Sequence, residues 1–198
     1  MRKKSHILLG RYLADQMSEV YSLQQHRKAF CLGNIMPDLR PSFLTTRHEF
    51  FGTFSQLQEK MRELIERNPE EDNARVYWRR FGEVMHYMAD YFTFPHNRTY
   101  KGSLAEHNSY EAELKNCLKE CILSGNADSQ LEEAKHFDSF EELVGYIRER
   151  HACYLESPRC IADDIRFILR VCYQVIQGIF QLCLRRQFHM EGRSVTAI

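Results

Sequence analysis

The sequence predicts an all-α protein, and three observations lead to that prediction. Apolar residues recur at intervals of three and four over most of the chain, which is the period of an amphipathic helix. Two serines, Ser103 and Ser139, are each followed three residues later by glutamate, the pattern of a capping box at a helix start. No alternating pattern typical of a β-strand persists anywhere. We therefore predict six or seven helices in one domain, residues 1–198, packed around a site between them.

The composition narrows the classes of function. A chain of 198 residues suits a single domain and can bury a sizeable core. Lysine plus arginine and aspartate plus glutamate both number 27, so the formal net charge is zero. Proteins that bind nucleic acid through electrostatics normally have a basic excess or stripe. The sequence therefore gives no evidence of a stable nucleic-acid partner.

The first residues and the cysteines indicate the cellular compartment in which the protein is expected. Residues 2–4 are basic, as in a signal peptide, but the apolar run at 7–10 is cut by Arg11 and Asp15 and is too short for one. The seven cysteines form no C-x-x-C pair, and most lie on apolar helical faces, where cysteine packs as a small hydrophobic residue. We expect a cytoplasmic protein with reduced thiols and no transmembrane segment.

The first predicted helix covers residues 5 to about 24. Leu9 and Leu13 continue an apolar stripe that begins with His6, so this histidine points inward and is a candidate metal ligand. Residues 30–47 form a less regular connection, because two prolines and a glycine rule out a continuous helix. This connection contains Asp38, which is either a turn or N-cap aspartate, or else a metal ligand or catalytic base.

The next two helices supply the first pair of candidate ligands at helical spacing. His48 opens a helix that continues to about residue 67, and another helix is predicted from about 73 to 93. The latter is apolar nearly all round yet contains His86 and Asp90, whose spacing stacks them one turn apart on one face. A buried carboxylate is costly unless it is paired or bound to a metal.

A second pair follows after a proline. Pro95 ends the preceding helix and leaves His96 on a turn. The Ser103 capping box then opens a helix to about residue 123, on which His107 and Glu111 share a stripe with apolar residues. Any one such pair also occurs as an ordinary helix-surface contact, and a lone inward histidine is usually a hydrogen-bonded core residue. Two inward pairs plus a histidine on the turn between them indicate metal binding.

The last third of the chain is predicted to be structural. One helix runs from Ser139 to about 155, and a final helix starts at Ser157 and Pro158. The final helix has a polar stripe, which includes Arg170 and Gln174, opposite an apolar stripe. The apolar stripe is typical of a bundle core face, with a membrane-surface face as the alternative. We thus divide the domain into a metal-ligand region of about 5–112, structural helices of about 113–186 and a loose tail, 187–198. Three further histidines lie among polar residues and receive no function: His136, His151 and His189.

The candidate ligands can now be taken together. In chain order they are His6, Asp38, His48, His86, Asp90, His96, His107 and Glu111. Their order and spacing resemble the zinc-dependent phospholipase C family of bacteria, whose all-helical fold is shared more distantly with zinc nucleases specific for single strands. The resemblance covers about residues 5–112, and the remainder matches only in being helical.

The resemblance implies a centre of two or three metal ions. The first site would be formed by Asp38, His48, His86 and Asp90. The second site would be formed by His96, His107 and Glu111, with a water or hydroxide bridging the two metals. His6 and Asp90 would serve a third site. In the family an N-terminal tryptophan completes that site, whereas the single tryptophan here, Trp78, lies within a helix.

The resemblance also implies an activity. It implies a metal-dependent phosphoric-ester hydrolase in which the bridging hydroxide attacks a phosphodiester, with Asp38 as the candidate general base. The substrate would be a phospholipid or a soluble phosphodiester. Histidine and carboxylate ligands suit Zn²⁺, although Mn²⁺ or Fe²⁺ can occupy such sites. The alternatives are a single-strand nuclease or nucleotide phosphodiesterase on the same fold, and a non-catalytic helical scaffold stabilised by metal.

Overall fold

The structure of the protein, a computed structural model, describes residues 1–40, 49–67, 73–158 and 160–195, with side chains as far as residue 188. Eight α-helices are found in these ranges: α1 (Lys3–Gln16), α2 (Tyr21–Gln25), α3 (Arg27–Gly33), α4 (Phe50–Glu66), α5 (Ala74–Tyr91), α6 (Leu104–Leu123), α7 (Phe140–Glu156) and α8 (Ile161–Val195). Short 3-10 turns lie at Pro37–Leu39, Phe94–His96 and Asp128–Gln130. No strand occurs in the described residues, and the predicted all-α class is confirmed.

The first predicted helix is wrong in its length. The stretch predicted as one helix over residues 5–24 is divided, because α1 ends at Gln16 and α2 begins at Tyr21. The side chain of Gln24 donates hydrogen bonds to the carbonyls of Ala14 and Met17 at 2.8 and 3.1 Å, and so satisfies the end of α1. The apolar stripe continues across this break, which is why periodicity alone did not reveal it.

Both serines cap helices as predicted, but only Ser103 forms the complete capping box, because at α7 the Glu142 carboxylate accepts from the backbone N–H of Asp138 instead of Ser139. At α6 the Ser103 hydroxyl accepts from the backbone N–H of Glu106, and the Glu106 carboxylate accepts from the backbone N–H of Ser103 at 2.7 Å. At α7 the Ser139 hydroxyl accepts from the backbone N–H of Glu142. These caps satisfy amide groups that the first helical turn leaves without partners.

Helix α8 lies in the core and is longer than predicted. Its apolar stripe includes Ile168, Cys172 and Ile176, which are completely buried. Its span Ile161–Phe188 is long and apolar enough to cross a membrane, but 61% of the most apolar window is buried against the rest of the protein, as in a core helix. The helix also continues to Val195, through residues that the sequence predicted as a loose tail.

One residue of the predicted polar stripe on α8 is buried. Gln174 is fully buried, contrary to its place on the predicted solvent face. It accepts from the backbone N–H of Lys135 at 2.7 Å and donates to the carbonyl of Glu133 at 2.9 Å. The segment between α6 and α7 therefore covers this face of α8 and is held there through a buried amide.

The contact between α3 and α5 fixes the position of the candidate site. A Cβ atom on Gly33 would lie 2.0 Å from the carbonyl oxygen of Arg79, and one on Gly82 would lie 2.1 Å from the carbonyl oxygen of Phe30. The two backbones therefore touch where these glycines cross. This close approach places the carboxyl end of α3 beside the middle of α5, where His86 lies.

Candidate metal centre

The structure describes seven of the eight candidate ligands and brings them into one connected cluster. His48 lies outside the described residues, so its predicted place in the first site stays a prediction. Helices α1, α5 and α6 and two 3-10 turns supply the others: His6, Asp38, His86, Asp90, His96, His107 and Glu111.

A first group joins three elements that are far apart in sequence. Donor atoms of His6, Asp38 and His86 all lie within 4.8 Å of one another. The His6 and His86 rings stack at a centroid distance of 3.9 Å, and Asp38 Oδ1 lies 3.6 Å from His86 Nε2. The resemblance had placed Asp38 and His86 in one site and His6 in another. In the structure His6 lies with the first two.

A second group lies on α6 and on the turn before it. Donor atoms of His96, His107 and Glu111 also lie within 4.8 Å of one another. Glu111 Oε1 is 3.1 Å from His96 Nε2 and 3.2 Å from His107 Nε2. The three side chains keep 13%, 28% and 11% exposure for His96, His107 and Glu111 respectively, whereas the His6 and His86 side chains are completely buried. The cluster therefore opens to solvent on the side of His107.

Asp90 connects the two groups. Its Oδ1 atom lies 3.2 Å from His6 Nε2, and its Oδ2 atom lies 3.3 Å from His86 Nε2 and 3.5 Å from His96 Nδ1. The side chain is completely buried. A carboxylate in this position can contribute an oxygen to each of two neighbouring metal ions, as the resemblance implied.

The orientation of His86 is set by a backbone carbonyl that the sequence did not indicate. His86 Nδ1–H donates to the carbonyl oxygen of Asn34 at 2.8 Å, since a carbonyl can only accept. The bond directs Nε2 at Asp38 and Asp90, and in the neutral imidazole Nε2 is then the nitrogen free to bind a metal. Metal-ligating histidines usually have such an outer partner, which fixes the tautomer. Asn34 and His86 are 52 positions apart, which explains why sequence spacing could not reveal the pair.

The amino group of Met1 also lies in the cluster. It donates to Asp90 Oδ1 at 2.5 Å and lies 3.1 Å from both Glu111 Oε1 and His96 Nε2. Burial opposes its charged form, but the Asp90 and Glu111 carboxylates outweigh this and raise the pKa of the amine. Burial opposes ionisation of Asp90, but His96 and the amine stabilise its carboxylate form and keep the pKa of Asp90 well below its usual range. The centre of the cluster thus stabilises positive charge.

The ring nitrogens of His6 are suited to bind a metal ion. Both ring nitrogens of His6 are buried, and neither makes a hydrogen bond within the described parts of the chain. Burial lowers the pKa of His6 to about 3, so the ring is neutral at pH 7 and Nε2 does not form an ion pair with Asp90. Buried polar atoms without partners are costly, and imidazole and carboxylate donors are those that Zn²⁺ prefers. A cation between His6, Asp90 and their neighbours would supply the missing partner.

The comparison with known families agrees with this chemistry. A family model described as zinc-dependent phospholipase C matches residues 5–161, which is well over half of the chain. The chain belongs to this family. The resemblance stated from the candidate ligands is therefore confirmed, and it extends beyond residue 112 through α7 to the start of α8. Searches of curated proteins and of solved structures found no significant match.

A buried carboxylate beyond the segment that matches the zinc-dependent phospholipase C family supports the second group. Asp164, on the first turn of α8, accepts from the backbone N–H of Phe94 at 2.9 Å and from the hydroxyls of Tyr110 and Tyr154 at 3.0 and 2.6 Å. Phe94 starts the turn that contains His96, and Tyr110 precedes Glu111 on α6. Burial raises the pKa of Asp164 to about 6. Asp164 therefore ties both elements of the second group to α8.

One of the three histidines without a predicted function is in the core. His151 is buried, contrary to the polar surroundings that the sequence suggested. Its ring stacks on Phe50 at 3.9 Å, and Nε2–H donates to Asn97 Oδ1 at 3.1 Å. His136 is exposed beside Asp138, and the side chain of His189 lies outside the described residues. None of the three belongs to the described metal centre.

Proposed function

We propose that the protein is a zinc-dependent phosphodiester hydrolase of the phospholipase C type and that the described cluster is its catalytic centre. The observation that carries this proposal is the clustering of six other histidine and carboxylate side chains, from five separate elements, with the buried Asp90 carboxylate. Family membership supports zinc and a phospholipase-like activity. A cytoplasmic location remains part of the proposal.

The proposed ligands fall into two main sites. Asp38, His86 and Asp90 would hold one ion together with His48, and His96, His107 and Glu111 would hold the other. His6 would contribute its unsatisfied nitrogen on the Asp90 side, where the structure also places the Met1 amino group. Zinc ions bound there would neutralise the phosphate charge and bring the pKa of water towards 7.

Three further residues have proposed roles in proton transfer, orientation of a ligand and entry of the substrate. Asp38 lies on a 3-10 turn rather than in a helix, and its oxygen stands 3.6 Å from His86 Nε2. We assign it the acceptance of a proton from the attacking water. Asn34 holds the His86 tautomer, and the greater exposure of His107 supports entry of the phosphodiester from that side.

The test combines metal content with turnover. The protein purified without chelator should contain at least two equivalents of transition metal, by elemental analysis. It should then be assayed with a chromogenic phosphodiester, phosphatidylcholine and a single-stranded oligonucleotide, each with Zn²⁺ and with Mn²⁺. We expect metal-dependent hydrolysis of at least one of them, with His136→Ala as a control outside the cluster. Full metal content without hydrolysis of any of them would favour the non-catalytic scaffold.

A further inference from the structure

A cavity lined by charged residues lies near the candidate metal centre. Its volume is about 330 Å³, and it opens between the end of the Asp38 turn and the helices α4 and α5. Four cationic and two acidic side chains line it: Arg40, Lys60, Glu63, Arg79, Arg80 and Glu83. The cavity wall therefore has an excess of two positive charges.

Two contacts between the turn and α5 set this cavity one helical turn from the metal ligands. Arg40 donates to both oxygens of Glu83 at 2.6 and 3.1 Å, while Asp38, two residues earlier, faces His86. Glu83 and His86 are three residues apart on α5, a rise of about 4.5 Å along the helix axis. The same short turn thus contributes to the metal centre through Asp38 and to the cavity through Arg40.

The Tyr87 ring lies close to both a metal ligand and a residue of the cavity. Its centroid is 5.5 Å from that of the His86 ring. The Lys60 ammonium lies 5.6 Å from the centre of the Tyr87 ring. Tyr87 therefore stands between the basic cavity and the metal ligands.

The positive charges of the cavity are only partly neutralised from within. Glu83 is nearly buried and pairs with Arg40 and Lys60, and Glu63 pairs with Arg80 at 3.3 Å. No ion pair or hydrogen bond is found for the Arg79 guanidinium among the described residues, and its Nε is buried without a partner. Like charges held together are unfavourable unless an anion joins them.

We propose that this cavity binds a second phosphate group on the substrate. The proposal rests on the proposed function: the metal centre would take the scissile phosphodiester, and Arg79 and Arg80 would bind a phosphate monoester on the same alcohol. A phosphate monoester has about −1.5 to −2 charges at neutral pH, which matches the excess of two positive charges. Arginine is suited to such groups because its planar guanidinium donates two parallel hydrogen bonds.

The test compares two soluble probes that differ only in the second phosphate, glycerophosphoinositol and its 4-phosphate. Their affinities, or their kcat/KM values where they are hydrolysed, are measured on the zinc-loaded protein and expressed as a ratio. Binding of the diester to the metals cancels in this ratio. We expect the wild type to prefer the 4-phosphate, and Arg79→Gln/Arg80→Gln to lower the preference about tenfold or more. Arg62→Gln, which removes a surface arginine paired with Glu141, is the matched control and should preserve it.

Each outcome decides the proposal. An equal preference in wild type and double variant, or no preference in the wild type, overturns it. A double variant whose melting temperature falls with its preference is replaced by Arg80→Gln alone, since Arg80 is 41% exposed; loss of preference there supports the proposal and retention overturns it. If the probes bind with the expected preference but are not hydrolysed, only the proposed phosphodiester hydrolase function is contradicted. Vesicles with phosphatidylinositol 4-phosphate against phosphatidylinositol then show whether the phosphate belongs to a lipid or to a soluble diester.

Discussion

At the scale of single residues, substitution of Asp38 tests whether the protein is an enzyme or a non-catalytic scaffold. Its carboxylate lies on a turn, whereas six of the described candidate ligands lie on α1, α5, α6 and the turn that precedes α6. We expect Asp38→Asn to lower phosphodiester hydrolysis by about 10² or more, the usual contribution of a general base. Elemental analysis should still find most of the wild-type zinc content, because the ligands on the helices remain. Hydrolysis at the wild-type rate would show that Asp38 is not the base.

The matched variant is Glu111→Gln. Glu111 contacts both His96 and His107, so removal of its charge should empty the second group while the first group keeps its metal. The two variants are thus expected to lose activity for different reasons, which metal content distinguishes. If Glu111→Gln retains two equivalents of zinc at wild-type affinity, the proposed composition of the second site is wrong.

His151 provides a residue-scale prediction that does not involve the metal. Burial lowers the pKa of His151 to about 4, below its ordinary value of 6.5. The neutral ring therefore stabilises the fold fully above about pH 6.5, and this contribution is lost as the pH falls to about 4, because the unfolded chain takes up the proton first. The difference in unfolding free energy between wild type and His151→Gln should shrink over that interval. A difference that is constant from pH 7 to pH 4 would contradict the buried, neutral histidine.

The candidate ligands show what residue patterns predict and what they omit. Helical spacing was sufficient to pair His86 with Asp90 and His107 with Glu111, because residues four apart share a face. Asn34 and Asp164 were missed, since one acts through a backbone carbonyl and the other lies 54 residues from its partner Tyr110. Only the folded chain brings such groups together.

At the scale of elements, the crossing of α3 and α5 is the tightest constraint on the site. A Cβ atom at Gly82 would meet the Phe30 carbonyl oxygen, a backbone atom that cannot rotate away. We expect Gly82→Ala to destabilise the protein by about 1–3 kcal/mol, since overpacking outweighs the gain in helix propensity. It should also weaken zinc binding, because separation of the helices disturbs the Asn34–His86 hydrogen bond.

Two other glycines offer controls of opposite sign. A Cβ atom at Gly52 in α4 or at Gly145 in α7 would meet no atom within 4 Å among the residues that the structure describes. Alanine at these helical positions should therefore stabilise the protein by about 0.5–1 kcal/mol. Chemical denaturation of the three variants measures the change in unfolding free energy, which should be a loss for Gly82→Ala and a gain for the other two. If Gly82→Ala were as stable as Gly52→Ala, the backbones of α3 and α5 would have to be farther apart at Gly82 than described here.

The Asp164 brace between α8 and the second group also has a testable pH dependence. Burial raises the pKa of Asp164 to about 6 from an ordinary value of 3.8, so the folded protein holds this proton more tightly. The stabilisation by the protonated form is complete below about pH 3.8 and is lost as the pH rises through about 6. The stability of the wild type relative to Asp164→Asn should therefore decrease from pH 4 to pH 6.5. A relative stability that rises with pH would contradict this.

At the scale of the whole molecule, periodicity predicted the helical class and most helix positions. The predicted helix over about 73–93 is α5, and the helix that Ser103 opens is α6. The division between α1 and α2 was missed, because the apolar stripe runs past it and the side chain of Gln24 ends the helix from outside. The buried Gln174 was missed for a related reason: a non-helical segment covers a face that resembles a solvent face in sequence.

The last prediction concerns the coupling of the whole fold to its metal. Asp90 and His6 are completely buried, and the His6 nitrogens have no hydrogen-bond partner in the described chain, so the metal-free protein retains costly groups in its interior. Zinc at 100 times its dissociation constant would stabilise the folded state by about 2.7 kcal/mol. For a chain of this size that corresponds to about 5–10 °C in melting temperature.

Chelation should therefore lower the melting temperature by about this amount, and added zinc should restore it. The matched comparison is His6→Ala, in which the drop should be smaller, whereas His136→Ala, which changes an exposed histidine, should respond like the wild type. Scanning calorimetry with excess chelator, after elemental analysis has shown the loss of metal, measures the shift. An unchanged melting curve would mean that the cluster is satisfied without a cation, and the metal centre would lose its strongest physical argument.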